Sequence, residues 1–270
     1  MQLQLLNNYK GNVFFLPGNH DWKSMRIGGL KSVKAQGEYI EDYIDNTVVK
    51  NRSTPNFVPS GALPGPYSEM ISDNIRLISI DLQWWLHRQI FHSIEKRGGK
   101  KKIQQQFFVS LDSLLNVSRE KNEMTIIAAH HPLFSIGHHG AKKQPMRFLI
   151  NWTPLKIIGW MGINRMLYQD IPQPRYKKLK KKLLSVINKY ENIIYIAAHE
   201  HNLQYSIRRK NHFIISGAGS KLTSFRLNTD EVKYANDTEM GFFALHFFND
   251  GSVKLEVFLE KSGKKHIADF

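Results

Sequence analysis

Continuous apolar runs, more than strict alternation, mark the strands of this chain, and the clearest of them end abruptly in polar residues. NVFFLP at 12–17, MTIIAA at 124–129 and NIIYIAA at 192–198 are short and β-rich, as strands buried on both faces are. Helical spacing separates them. Tyr39, Ile40, Tyr43 and Ile44 share a face of a helix predicted over 33–49, and Leu179, Leu183, Leu184 and Ile187 do so over 175–190. A further helix is predicted at about 103–119. The Pro/Gly-rich stretch 55–66 reads as a loop before two strands near 67–71 and 75–80. Runs at about 203–207, 212–216, 242–248 and 252–259 predict a largely antiparallel end, and 140–174, which has no clean period, is expected to be an irregular insertion. Strands alternating with helices and then following one another imply an α/β protein with mixed sheets. No repeat or low-complexity linker divides the chain, so residues 1–270 are expected to form a single domain.

Composition narrows the chemistry. With 41% hydrophobic residues the chain can build a core, and with no cysteine it has neither disulfides, thiolate metal sites nor a Cys nucleophile; any metal must be held by His, Asp, Glu or Asn. The formal charge of +15 collects in EKRGGKKK (95–102), AKKQPMR (141–147), RYKKLKKK (175–182), RRK (208–210) and KSGKK (261–265). Such runs read first as solvated faces; their sharper use is to attract anions such as phosphate, nucleic acid or anionic lipid. No nucleic-acid-binding motif accompanies the charge. The most apolar long window, Met146 to Ile163, is broken by Arg147, Pro154 and Lys156, so no transmembrane segment is predicted. The opening MQLQLLNNYK lacks the pattern of a secretory signal, which leaves localisation open.

Polar clusters sit where three apolar runs end: Gly18-Asn19-His20-Asp21, His130-His131 and His199-Glu200-His201. Seven of the twelve histidines lie in these clusters or, as His138 and His139, in the loop after the second. In α/β sheets the ligand site gathers beyond the carboxyl ends of strands, and imidazoles there, without cysteine, point to an N/O site for ions such as Zn, Fe or Mn.

GNHD at 18–21, AHHPLFSIGHHG at 129–140 and AHEHNLQY at 198–205 resemble motifs of the calcineurin-like metallophosphoesterases, and the last two, with SGAGSK at 216–221, resemble the purple acid phosphatase branch. The resemblance implies a sandwich of two mixed β-sheets flanked by helices, carrying two divalent or trivalent metal ions. It implies Asn19, His130 and His199 as ligands of one metal and His201 as a ligand of the other. His20 would be proton donor or charge stabiliser near the leaving group, Asp21 would orient its ring, and His139 would face substrate. The implied reaction is hydrolysis of a phosphate ester, a phosphomonoester first, by a metal-bound hydroxide. Ala198 stands where the family usually has Gly, and His131 where the phosphatases often have Tyr.

The family pattern begins with an Asp-x-His and then a Gly-Asp strand end, whereas residues 1–18 contain no Asp, Glu or His. The expectation is a chain short of an N-terminal strand–helix–strand unit, binding at most one metal weakly and impaired as a phosphatase. Two other readings stay open: a catalytically silent phosphate- or partner-binding protein of the same fold, and a phosphodiesterase or nuclease. Trp84-Trp85 is expected to pack, and Asp81 to cap a turn or helix.

Overall fold

The computed structural model describes residues 3–6, 9–47, 56–87, 99–138, 140, 173–226 and 229–270. Two sheets form its frame. The larger has the order β1 (Tyr67–Ser72), β2 (Ile75–Ile80), β3 (Met124–Ala129), β4 (Ile194–Ala197), β6 (Asn211–Ser216), β5 (Leu203–Arg208) and β7 (Val232–Asn236). It is mixed: β2, β3, β4 and β6 run parallel, while β1 at one edge and β5 and β7 at the other pair antiparallel. The smaller sheet, β8 (Gly241–Phe247), β9 (Val253–Leu259) and β10 (Gly263–Asp269), is antiparallel throughout.

The apolar runs of β2, β3 and β4 are buried on both faces because two cores meet there. Alternate residues point to opposite sides of a strand. Ile78, Ile80, Ile127, Tyr195 and Phe213 therefore pack against the helices α1 (Gly29–Thr47), α3 (Gly99–Glu120) and α4 (Pro174–Ile187). Their neighbours Leu77, Ile126, Ile194 and Ile214 pack against Val253 and Leu255 of the small sheet. The result is the expected α/β sandwich, with helices on the outer face of the large sheet.

Departures from the sequence reading have local causes. Residues 12–17 do not form a strand; Phe15 makes one isolated parallel bridge to Phe57, with Phe15 N–H donating to Asn56 at 2.7 Å and Val58 N–H donating to Phe15 at 2.8 Å. Pro17 and Pro59 have no amide hydrogen with which to extend that pairing. β7 and β10, and the short helix α2 (Leu82–Leu86), were not legible in the pattern; β10 in particular overlaps the KSGKK charge run and becomes a strand by pairing with β9. Most of the insertion at 140–174 lies outside the described residues. Among the described residues no helix is long and apolar enough to cross a membrane.

Candidate metal centre

Asn19, in the turn after the isolated Phe15 bridge, and His130 and His199, in the loops after β3 and β4, come from three separate segments and meet. Asn19 Oδ1 lies 3.0 Å from His130 Nε2, and His199 Nδ1 lies 3.2 Å from the same nitrogen. A single proton on His130 Nε2 would be shared between two neighbours, whereas a cation can take a lone pair from all three. The spacing fits that use: metal–N and metal–O bonds of about 2.0–2.2 Å, with angles between about 90° and 110°, put donor atoms about 3–3.5 Å apart. Two imidazole nitrogens and an amide oxygen make a borderline N/O set suited to Zn, Fe or Mn.

Local backbone explains how the three loops come so close. Gly18 lies beneath the His130 ring, where an added Cβ would stand 2.8 Å from ring atoms. The Asp21 carboxylate accepts a hydrogen bond from Gly18 N–H at 2.6 Å, closing the GNHD turn. His199 has φ +67°, a left-handed conformation that costs a non-glycine residue energy and clusters at functional sites. Gly217, in the SGAGSK run, has no room for a side chain, since a Cβ would fall 1.8 Å from the carbonyl oxygen of Glu200.

The loop holding His130 is pinned from below. Tyr195 hydroxyl donates to the His131 carbonyl at 2.9 Å and Tyr176 hydroxyl to the Pro132 carbonyl at 2.6 Å, both in buried surroundings. Burial pushes both phenols well above their ordinary pKa, so they remain donors. His131, the position left open by the sequence, is buried, with its ring 4.5 Å from the His199 ring and 5.0 Å from the His130 ring. Glu200, fully buried, accepts from Ser135 hydroxyl at 2.8 Å; Gln204 donates to the same hydroxyl at 3.3 Å and accepts from the Ile136 amide at 3.0 Å. These bonds tie the second motif loop to the third. Glu200, Gln204 and the two tyrosines are positioning residues that no ligand-spacing argument singles out, although Glu200 sits inside the third motif.

The other anticipated residues are placed less centrally. His20 is exposed beside Asn19. His201 is half-buried, and its carbonyl accepts from the Thr223 amide at 2.8 Å. His139 lies outside the described residues. Among the described residues no group of three or more His, Cys, Asp or Glu side chains could hold a metal ion, so the convergent set is two histidines completed by an amide.

Asp81 closes the C-terminal end of β2. It caps α2 by accepting from the Trp84 amide at 3.2 Å and accepts from the Trp22 indole N–H at 2.7 Å. Trp22 follows GNHD directly, so this carboxyl anchors the first motif loop to the sheet. Burial raises its pKa to about 7, against the lowering effect of those bonds. Trp84 and Trp85 are buried, as packing residues.

A two-sheet α/β sandwich with amide and imidazole donors meeting beyond its strand ends is the architecture of a metallophosphoesterase. The chain belongs to the calcineurin-like phosphoesterase family, whose model matches residues 1–203. No curated protein matches it. Among solved structures it is similar to GAP50, the anchor in the inner membrane complex of Plasmodium, with a TM-score of 0.52 and 16% identity over 97% of this chain and 67% of that one. It is also similar to a dimetal phosphatase from Danio rerio, with a TM-score of 0.41 and 13% identity over 75% of this chain and 60% of that one. A structure of PhoD gives a TM-score of 0.43 and 10% identity over 88% and 50%. The chain thus spans about half to two thirds of the length of these structures.

Proposed function

We propose that this chain carries part of a metal-dependent phosphoesterase centre that acts on phosphomonoesters in the manner of the purple acid phosphatase branch. The observation that carries the proposal is the approach of Asn19 Oδ1, at 3.0 Å, and His199 Nδ1, at 3.2 Å, to the same atom, His130 Nε2. These three would hold one metal, with Zn, Fe and Mn as candidates, and His201 would contribute to a second. Bound there, such a metal supplies charge neutralisation at the phosphoryl oxygens and a water acidified towards neutral pH.

The chain's own residues do the rest. His20, exposed and adjacent to Asn19, would give a proton to the departing alkoxide, a role worth about 10²–10⁴-fold in rate. Asp21, which closes the turn by accepting from Gly18 N–H, would orient the His20 imidazole. His139 would meet the substrate. The chain, with His201 as the sole named ligand of the second position, is expected to bind one metal and to be slow by itself.

Hydrolysis of an aryl phosphate, an aryl diester and DNA by metal-reloaded protein tests this. Monoester hydrolysis that exceeds the other two and is lost in His130→Ala and His199→Ala is expected; a preference for DNA or diester would overturn the substrate assignment. A second reading, a catalytically silent phosphate-binding protein, is favoured by a convergent set that, among the described residues, is two histidines and one amide. It predicts metal bound at the three residues with no turnover of any of the three substrates.

A further inference from the structure

Behind the second motif loop lies a cavity of about 1020 Å³, between α4, the loop from Phe134 to Gly140, and strands β5 and β6. Among the described residues its lining includes Lys177, Lys180, Lys181, Lys189, Arg208 and Arg209, and no Asp or Glu. Its apolar wall is Phe134, Leu184, Phe213 and Ile215. Among the described residues, none of the proposed metal ligands or catalytic residues lines it; His139 lies outside the described residues.

Two of the cations are held in an unusual setting. Lys180 Nζ and Arg208 Cζ each lie 4.0 Å from the centroid of the Phe134 ring, close cation–π contacts that bring both charges to one aromatic group. Phe134 is itself fixed edge-on to Phe213, 4.8 Å between ring centroids. Glu231 pairs with Arg208 from the rim, and Asp112 pairs with Lys189 at 2.8 Å. Burial first and the Arg208 charge second, partly opposed by Glu231, together lower the Lys180 pKa to about 8. Among the described residues, the positive charge gathered in the concavity therefore exceeds its local compensation, a condition that an anion relieves.

We propose that this cavity is a second ligand site, separate from the metal centre, for an organic phosphate: a phosphate head held by Lys180 and Arg208 and an apolar body laid against Leu184, Phe213 and Ile215. A guanidinium matches phosphate oxygens in a two-pronged way that a simple point charge cannot. The apolar wall and the volume, within the range of ligand pockets, call for more than inorganic phosphate. The site also touches the metal-centre scaffold, because Ser135 and Gln204 line the cavity, Gln204 donating to the Ser135 hydroxyl and that hydroxyl donating to Glu200.

The test is calorimetric titration of the full chain, kept metal-free by chelator, with octyl phosphate, inorganic phosphate and the neutral octyl glucoside. Octyl phosphate is expected to bind at least about tenfold more tightly than either other probe. Lys180→Gln and Arg208→Gln should each weaken it about tenfold or more, with Lys180→Arg retaining binding and His199→Ala leaving it unchanged. Lys180 projects from a helix, so its variants keep the test valid if Arg208→Gln fails to fold. Equal affinity for inorganic phosphate, unchanged affinity in Lys180→Gln, or loss of binding in His199→Ala would overturn the proposal. Because no metal is present, failure here leaves the phosphoesterase reading intact, and failure of that reading leaves this one.

Discussion

Gly18 is small because His130 needs the space. A methyl group there would press on the imidazole at 2.8 Å, and the ring can yield only by leaving Asn19 and His199. Gly18→Ala is expected to reduce metal affinity about 10–100-fold, as loss of a supporting contact around a metal ligand does, while the melting temperature of the metal-free protein changes little. Calorimetric titration with Mn or Zn measures it. Asp81 gives a pH signature at the same scale. Its folded-state pKa of about 7 lies above its ordinary 3.8, so its contribution to stability is full below about pH 4 and is lost as pH rises towards 7. The loss is of the order of 4 kcal/mol for a shift of this size. Asp81→Asn should remove this dependence: the variant gains on the wild type as pH rises from 4 to 7.5, read by urea denaturation at each pH. A constant difference would show that Asp81 does not titrate in this range. That Asp81 serves as a turn or cap residue was legible from its place after an apolar strand; the helix α2 that it caps and its bond to Trp22, 59 residues away in sequence, were not.

At the scale of elements, the strand-end loops are positioned by groups that belong to neighbouring elements. Tyr176, on α4, and Tyr195, on β4, both donate to the loop that follows β3. Removing either hydroxyl leaves a buried carbonyl without that donor, at a cost of about 1–3 kcal/mol. Tyr176→Phe and Tyr195→Phe should therefore lower unfolding free energy by that amount and weaken metal binding, with urea denaturation and metal titration as paired readouts. A loss of stability with metal affinity unchanged would separate the tyrosines from the site. The helices and central strands were legible because a run buried on both faces, or an apolar stripe, is written in contiguous residues. β7 and β10 were not, because a half-exposed strand with lysines becomes a strand only when a neighbour supplies its hydrogen bonds. The opposite error at 12–17 has the same origin: an apolar run with prolines at its end and across from it pairs over a single bridge.

For the molecule as a whole, the small sheet completes the fold by covering the inner face of the large one. Leu255, fully buried in the middle strand, packs with the group that includes Leu77, Ile126 and Ile214. Leu255→Ala should destabilise the protein by about 2–5 kcal/mol through the cavity it leaves, measured by urea denaturation. On the outer side of that sheet, Glu256 gathers Lys254, Lys264 and His246, with its carboxyl held down to about 2 chiefly by hydrogen bonding to Lys254. Part of the basic excess is thus spent in surface ion pairs, while the portion on α4 and β5 faces a cavity.

The sequence alone determined the α/β class, the strand ends at Ala129 and Ala197 and the three motifs, because each is encoded by residues adjacent in the chain. Tertiary structure alone decided that Asn19 and His199 both meet His130 Nε2, that two tyrosines and Glu200 hold the loops there, and that lysines of α4 and Arg208 of β5 face one cavity. Those facts depend on distances between segments far apart in sequence, and such distances are set by how the sheets and helices pack.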